Sequence, residues 1–199
     1  MIKAVSFDFD GVLYHETTPL MTTRLLKDYP NVNEEKVLEF FQMEFADCQA
    51  GIKDMKEVLT RRLPEWNFPG TLDELLHYWF DDGSIDDQVL KLIEMLKERN
   101  LLCVLCTNNE IHRWNFLKEK YKLNMLFDEI FCSAETKLRK PDPKVYKNIT
   151  KTLQLKPEEI FMTDDDEKAA AAAASIGMQA HHFQNLTDFQ SDLSRLLED

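Results

Sequence analysis

The sequence predicts an α/β protein in which a parallel sheet lies between two layers of helices and carries a small helical insertion. Two observations support this fold class. From residue 87 onward, short apolar runs alternate with longer stretches of helical periodicity, as in parallel strands joined by helices. Between residues 14 and 83 this alternation stops, and amphipathic helical patterns occur there without a convincing strand.

Apolar runs predict the core strands, at residues 2–7, 101–106, 129–132, 160–163 and 179–183. Helical periodicity predicts the core helices, at residues 87–98, 111–120, 143–153, 167–176 and 186–197. The six consecutive alanines of residues 169–174 favour a helix that packs closely on the sheet. Gly177 is placed to end that helix.

The insertion is predicted to be a separate helical domain of residues 14–83, so that the core domain consists of residues 1–13 and 84–199. Its helices are predicted at residues 20–28, 34–49, 54–63 and 72–80. The insertion has enough aromatic side chains for a small core of its own: Phe40, Phe41, Phe45, Trp66, Phe68, Trp79 and Phe80.

Charge and length restrict the partners. The chain has 199 residues and a formal net charge of −12, with an isoelectric point near 4.9. An acidic surface repels nucleic acid phosphates, so no nucleic-acid partner is expected. No apolar run has the length that spans a membrane, so no membrane association is expected either. A monomer and a weak homodimer are both compatible with this composition.

The cysteines predict buried thiols in a reducing compartment. Cys48, Cys103, Cys106 and Cys132 show no disulfide framework. Cys103 and Cys106 form a CxxC within one predicted strand, where side chains three residues apart point to opposite faces. A shared zinc or disulfide is therefore not expected. Since no apolar signal core precedes the first strand, a cytoplasmic protein is predicted.

Two aspartates follow the first predicted strand, in the hexamer DFDGVL of residues 8–13. They lie at the carboxyl end of that strand, the edge where open parallel sheets place their sites. Of Asp8 and Asp10, one can be a nucleophile and the other a general acid and base, and Gly11 allows a sharp turn between strand and loop. The alternative is a turn that only closes the strand.

Thr107 and Asn108 directly follow the second predicted strand. A hydroxyl and an amide at a strand end can both hydrogen-bond phosphate oxygens. The same residues are also a good helix N-cap signal, and this alternative stays open.

A basic residue precedes two prolines that fix the backbone before a helix. Lys140 is followed by Pro141 and Pro143. Its ammonium group can neutralise clustered carboxylates and a phosphate. Lys137 and Arg139 compete for the same role, and a solvated lysine is a further alternative.

Three consecutive carboxylates, Asp164, Asp165 and Asp166, follow the fourth predicted strand. Such a cluster is costly without a cation. Together with Asp8 and Asp10 it would form an oxygen-rich site, which suits Mg²⁺ rather than zinc. An acidic first turn that stabilises the next helix dipole is an alternative that is compatible with this role.

The four motifs, in this order and spacing across the whole chain, resemble those of the haloacid dehalogenase-like superfamily. The helical insertion corresponds to the C1 cap of that family. The stretch of residues 106–142 is similar to small sugar-phosphate phosphatases, including the glucose-1-phosphatase branch, and to the N-terminal phosphatase domain of soluble epoxide hydrolases. The resemblance implies a Rossmann-like sheet of strand order 3-2-1-4-5 and a Mg²⁺-dependent phosphatase for a small phosphorylated metabolite, for example a sugar phosphate.

The resemblance also implies a role for each reacting group. Asp8 would attack phosphorus and form an aspartyl-phosphate. Asp10 would protonate the leaving oxygen and then activate water for hydrolysis. Thr107, the Asn108 backbone and Lys140 would hold the phosphoryl oxygens.

For the metal, the resemblance implies an Asp8 oxygen, the Asp10 backbone carbonyl and Asp165 as ligands. Asp164 would support the metal directly or through water. Ala169 departs from the family pattern, since Asn or Asp is frequent at that position. The departure removes a hydrogen bond near the metal ligands and weakens the expectation of full activity.

The presence of Asp10 favours phosphate-ester hydrolysis over the other reactions known in this family. Family members that act on halides or phosphonates typically lack this second aspartate, and an alkoxide leaving group needs a proton whereas a halide does not. Two alternatives stay open beside the phosphatase. A sugar phosphomutase would need a cap that excludes water, and a non-catalytic binding module is supported only by Ala169 and the alanine run.

Overall fold

Five parallel strands form the central sheet of the computed structural model, which describes residues 1–16 and 20–198. Strands are numbered along the chain, and β2 and β3 belong to a separate ribbon. The sheet strands are β1 (Ala4–Phe7), β4 (Leu102–Thr107), β5 (Glu129–Cys132), β6 (Ile160–Asp164) and β7 (Gln179–His182). Their spatial order is β5-β4-β1-β6-β7, which confirms the predicted α/β class and the order 3-2-1-4-5.

Helices fill the chain between β1 and β4 as predicted. The helices of this insert are α1 (Met21–Asp28), α2 (Glu34–Met43), α3 (Phe45–Gln49), α4 (Met55–Trp66) and α5 (Leu72–Phe80). All seven aromatic residues predicted for the insert lie in one hydrophobic cluster. We refer to α1–α5 as the helical insert.

The core helices are α6 (Asp87–Glu98), α7 (Ile111–Lys120), α8 (Leu123–Leu126), α9 (Ser133–Thr136), α10 (Pro143–Leu153), α11 (Glu167–Ser175) and α12 (Leu186–Glu198). Side chains of α6, α7 and α12 pack on one face of the sheet, and those of α10 and α11 pack on the other. With both faces covered, β1 is buried at every residue including Ser6, which explains why its apolar residues do not alternate strictly with polar ones.

The two faces also separate the CxxC pair. Cys103 belongs to the cluster under α6 and α7, whereas Cys106 belongs to the cluster under α10 and α11. All four cysteines are buried free thiols, as predicted. The polyalanine helix α11 ends as predicted too, with Gly177 at a positive φ of 98° and its amide bonded to Ala174.

Two predicted helix boundaries in the insert are wrong. A single helix was expected over residues 34–49, but the chain breaks at Glu44 between α2 and α3. In one straight helix, Phe40 and Phe45 would point about 140° apart, whereas the break lets both rings pack together, 5.7 Å between centroids. Helix α4 continues to Trp66 because that side chain is fully buried in the insert core.

A short ribbon that the sequence did not predict closes the base of the insert. Strand β2 (Tyr14–His15) pairs antiparallel with β3 (Ser84–Ile85). Two-residue strands carry no measurable periodicity, so a sequence pattern cannot indicate them. The Tyr14 hydroxyl donates to the Asp82 carbonyl at 2.8 Å and holds the two connections together. None of the helices in the described ranges has the length and apolar character needed to cross a membrane.

Candidate active site

The candidate site lies where β1, β4 and β6 end, between the sheet and the helical insert. The parallel register places Phe7 of β1 beside Leu105 of β4 and Thr163 of β6, so the residues that follow these strands converge. A cavity of about 740 Å³ opens there. Its lining includes all seven predicted site residues, namely Asp8, Asp10, Thr107, Asn108, Lys140, Asp164 and Asp165.

Lys140 lies at the centre of the charged groups. Its Nζ is 2.7 Å from Asp8 Oδ1 and 2.6 Å from Asp164 Oδ2, and its side chain is 4% exposed. Burial opposes the charge of the ammonium, but the Asp8 and Asp164 carboxylates raise the pKa of Lys140 above its usual value. The lysine is therefore a fixed positive charge within the site.

Asp8 is held by two donors on one oxygen. Its Oδ1 accepts from Lys140 Nζ and from the Phe9 amide, the latter at 2.7 Å. Burial raises the pKa of Asp8 well above its usual value, Lys140 opposes that rise, and the neighbouring Asp164 carboxylate adds to it. The ionised carboxylate therefore needs positive charge nearby, and the held oxygen fixes its orientation.

Asn108 positions Lys140 through the backbone. Its Oδ1 accepts from the Lys140 amide and its Nδ2 donates to the Lys140 carbonyl, each at 2.9 Å. Of the three basic candidates in this loop, Lys140 contacts the carboxylates, while Lys137 donates to Gly51 and Arg139 donates to Gln49. Both competing side chains therefore bind the insert.

Thr107 and Asn108 do not cap the following helix. The side chain of Glu110 is the N-cap of α7 and accepts from the amides of His112 and Arg113. Thr107 is 2% exposed, and its Oγ1 accepts from Asn109 Nδ2 at 3.0 Å. The N-cap alternative is therefore wrong, and the Thr107 hydroxyl proton can point into the cavity.

Three carboxylates form a group that can hold a metal ion. One oxygen each of Asp8, Asp164 and Asp165 lies within 4.8 Å of the others. Gly11 makes this approach possible, because a Cβ atom there would lie 2.2 Å from Asp165 Oδ2. Asp166 is not part of this metal-binding group, because its carboxylate caps α11 and accepts from the Lys168 amide at 2.9 Å. An all-oxygen donor set facing one lysine fits a hard divalent cation such as Mg²⁺.

Ala169 lines the same cavity as this group and has no polar side chain. It is buried, and its carbonyl accepts from the Tyr146 hydroxyl at 2.8 Å. A ring nitrogen of His182 lies 3.0 Å from the Asp165 carbonyl. The Asp165 backbone therefore has a contact that does not involve residue 169.

Sequence reasoning missed the residues that hold Asp10. Arg113 Nη2 donates to Asp10 Oδ1 at 2.6 Å, and Arg113 Nη1 donates to Asp10 Oδ2 at 2.9 Å. Asn109 Nδ2 donates to Asp10 Oδ2 at 3.0 Å and its Oδ1 accepts from Arg113. One signal was available: Asn109 and Arg113 are four residues apart just after a strand end, so they share a helix-like face toward the sheet edge.

Arg113 is itself buried, with 8% of its side chain exposed. Burial opposes its charge, but the Asp10 carboxylate raises the pKa of Arg113. Its guanidinium carbon lies 5.4 Å from the centroid of the Tyr14 ring. Asp10 is therefore held by Arg113 and not by the three-carboxylate group. The bidentate contact fixes the plane of the Asp10 carboxylate.

Comparisons with known proteins identify relatives of this chain. A sequence model of haloacid dehalogenase-like hydrolases matches residues 2–177. The chain is 28% identical over 196 residues to the sesquiterpene phosphatase astK of Aspergillus oryzae, covering 94% of this chain and 90% of that protein. It is 32% identical over 144 residues to flavin mononucleotide hydrolase 1 of Arabidopsis thaliana, covering 62% and 57%.

A solved structure shows the same fold. A haloacid dehalogenase family enzyme of Bacteroides thetaiotaomicron, crystallised with magnesium and inorganic phosphate, superposes with a TM-score of 0.79 at 21% identity, covering 95% of this chain and 99% of that one. The family model covers most of the chain, and the predicted resemblance is confirmed. The protein is a member of the haloacid dehalogenase-like hydrolases.

Proposed function

We propose that this hydrolase is a Mg²⁺-dependent phosphatase that cleaves a small phosphomonoester through an aspartyl-phosphate on Asp8. The observation that carries the proposal is the buried Asp8 carboxylate, fixed by Lys140 beside two further carboxylates, with Asp10 oriented separately by Arg113. Two named relatives support it, since one is a phosphatase and the other a hydrolase of flavin mononucleotide.

Asp8 and Asp10 have different tasks in the two steps of the proposed reaction. An Asp8 oxygen forms a bond to phosphorus while the bond from phosphorus to the ester oxygen breaks, and Asp10 gives a proton to the leaving oxygen. Water then attacks the aspartyl-phosphate, Asp10 takes its proton, and phosphate leaves. Arg113 and Asn109 hold the Asp10 carboxylate in place between these two transfers.

Phosphoryl transfer depends mainly on positioning and charge neutralisation. Lys140, the Thr107 hydroxyl and the Asn108 amide would bind the phosphoryl oxygens, and all three residues line the cavity. Asn108 uses its side chain to fix Lys140, which leaves its backbone amide for the phosphate.

Asp8, Asp164, Asp165 and the Asp10 backbone carbonyl would hold the metal. When bound, Mg²⁺ supplies positive charge to the phosphate and offsets the clustered carboxylates. The magnesium and phosphate complex of the B. thetaiotaomicron enzyme supports this assignment by analogy of fold.

We also propose that residues 14–83 act as a cap domain over a core of residues 1–13 and 84–199. Several polar contacts join residues 14–83 to the core, and three of them illustrate this. Gln49 Nε2 donates to the Asn108 carbonyl at 3.0 Å, Lys137 donates to Gly51 at 2.7 Å, and Asp54 lies 3.0 Å from His112. The cytoplasmic location and the monomeric or weakly dimeric state remain predictions.

The test is a phosphate-release screen on common metabolite esters, with Mg²⁺ and with EDTA. Wild type should release phosphate only with Mg²⁺, and Asp8→Asn should lose at least about a thousandfold in kcat, because an amide is a far poorer nucleophile. Asp87→Asn, an exposed aspartate on α6, is the matched control and should keep wild-type activity. Full activity of Asp8→Asn would overturn the proposal, and an isomerised sugar phosphate without free phosphate would indicate the mutase.

A further inference from the structure

The cavity has two chemically different ends. The sheet edge supplies the charged end, with Asp8, Lys140 and the residues near them. The helical insert supplies the other end, where a substrate's organic group must lie if phosphate is bound at the sheet edge. At about 740 Å³, the cavity is larger than a phosphate needs and falls within the range of about 300–1,000 Å³ that is usual for organic ligands.

The insert end is walled by apolar side chains from four helices. Phe41, Phe45 and Trp79 pack against one another, with ring centroids 5.1 to 5.5 Å apart. Met21 of α1 and Leu38 of α2 extend this wall. Since each aromatic ring contacts the other two, the three rings form one continuous apolar surface.

Two of the polar side chains on the insert side are already bonded to protein. Gln49 donates to the Asn108 carbonyl and accepts from Arg139 Nε at 3.1 Å, so both ends of its amide are used. The Tyr14 hydroxyl donates to Asp82. Within the described part of the insert lining, the other polar side chains are those of His15, Glu16 and Thr22. His15 lies 3.7 Å from Asp86, and Glu16 Oε2 is buried without a hydrogen-bond partner among the described residues, so Glu16 is a polar exception to the apolar wall.

Such a wall discriminates between organic groups. A sugar would place several hydroxyl groups against carbon, and each hydroxyl that loses water without gaining a partner weakens binding. A hydrocarbon chain instead gains from burial, by about fourfold in affinity for each methylene removed from water.

We propose that this cavity accepts the phosphomonoester of an apolar alcohol, with a hydrocarbon or aromatic group against Phe41, Phe45 and Trp79. The inference rests on the proposed phosphatase function and narrows its substrate class. This class of substrate differs from the sugar phosphate that the family resemblance implies.

The first test compares esters of one chemical series. We expect kcat/KM to rise at least tenfold from propyl phosphate to octyl phosphate, below the micelle concentration, and octyl phosphate to exceed glucose 6-phosphate and glycerol 3-phosphate by at least tenfold. A flat series, or a preference for the sugar ester, would overturn the inference.

Two matched variants of helix α2 test whether the preference for long alkyl chains arises at the apolar wall. Leu38 lines the cavity and is 38% exposed, whereas Met43 of the same helix is 70% exposed and does not line it. Leu38→Asn should lower the ratio of kcat/KM for octyl over propyl phosphate at least threefold, and Met43→Asn should leave the ratio unchanged. Equal ratios in both variants would contradict the assigned wall.

A further substrate distinguishes failure of the phosphatase proposal from failure of the inference about the substrate class. Acetyl phosphate has a small, good leaving group, so its Mg²⁺-dependent hydrolysis reports the chemistry without the insert wall. If neither acetyl phosphate nor any ester is hydrolysed, the phosphatase proposal fails. The inference about the apolar cavity is then tested by the relative affinities of two phosphate esters. Calorimetry with Asp8→Asn should then show octyl phosphate binding at least tenfold more tightly than glycerol 3-phosphate, and equal affinities would overturn it.

Discussion

Arg113 binds the Asp10 carboxylate with both terminal nitrogens, at 2.6 and 2.9 Å, across 103 residues of sequence. This contact gives the second aspartate of the site a fixed plane and separates it from the three carboxylates around Lys140. The position of Asp10 therefore depends on a helix of the core and not on its own loop alone.

Arg113→Lys tests this positioning. Lysine keeps the charge but cannot make the planar bidentate contact, so kcat/KM for an alkyl phosphate should fall about ten- to a hundredfold, part of the roughly 10²–10⁴-fold that a positioned acid or base contributes. The kcat/KM for acetyl phosphate should fall much less, because it reports formation of the aspartyl-phosphate and acetate leaves without a proton. Arg99→Lys, at an exposed position after α6, is the control; equal losses on both substrates would show that Arg113 has a general structural role instead.

Asp165→Asn and Asp166→Asn separate the metal ligand from the helix cap. Saturating Mg²⁺ at about 100 times Kd should stabilise wild type by about 2.7 kcal/mol, which corresponds to roughly 5–10 °C in Tm for a chain of this size. Asp165→Asn should lose most of that shift. Asp166→Asn should keep it, because asparagine also caps helices. A full Mg²⁺ shift in Asp165→Asn, measured by differential scanning fluorimetry, would contradict the ligand assignment.

Gly11→Ala should damage the same site by steric contact. Gly11 has a φ of 81°, and an added Cβ would lie 2.2 Å from Asp165 Oδ2, so that carboxylate must move. We expect at least about a hundredfold loss of kcat, the scale on which misplaced groups lower rates. Gly177→Ala shares the positive φ but meets only Pro157 at 3.5 Å. It should lose about 1–2 kcal/mol of stability and retain Mg²⁺-dependent turnover, and a similar loss of turnover in both variants would show that backbone strain alone is responsible.

The four cysteines should resist thiol reagents in the folded protein. Burial raises the pKa of Cys48, Cys103, Cys106 and Cys132 to about 12 each. At pH 8 almost none of these groups is the reactive thiolate. A chromogenic disulfide reagent should therefore label all four only after unfolding in guanidinium, at the unfolding rate, and fast labelling of any of them in the native protein would contradict the buried arrangement.

Local patterns were sufficient for the secondary structure of the core. Helices α6, α7 and α10 begin and end where the periodicity predicted, since apolar spacing, N-cap residues and Pro143 are all local signals. The motifs at strand ends were predicted to meet for one further reason, that parallel strands bring their carboxyl ends to one edge. Sequence therefore sufficed to predict that Asp8, Thr107, Lys140 and Asp164 line one cavity.

The sequence by itself determined the fold class and the main residues that line the site, because both depend on periodicity or on the position of a motif after a strand. The strand order was implied by the resemblance to the family. Only the tertiary structure decided that Arg113 binds the Asp10 carboxylate and that the Asn108 side chain hydrogen-bonds the Lys140 backbone. It also decided that the helix breaks at Glu44, which places Phe45 in the cavity wall. These features depend on side-chain contacts between distant elements, and the direction of a side chain in space follows from packing that no local pattern encodes.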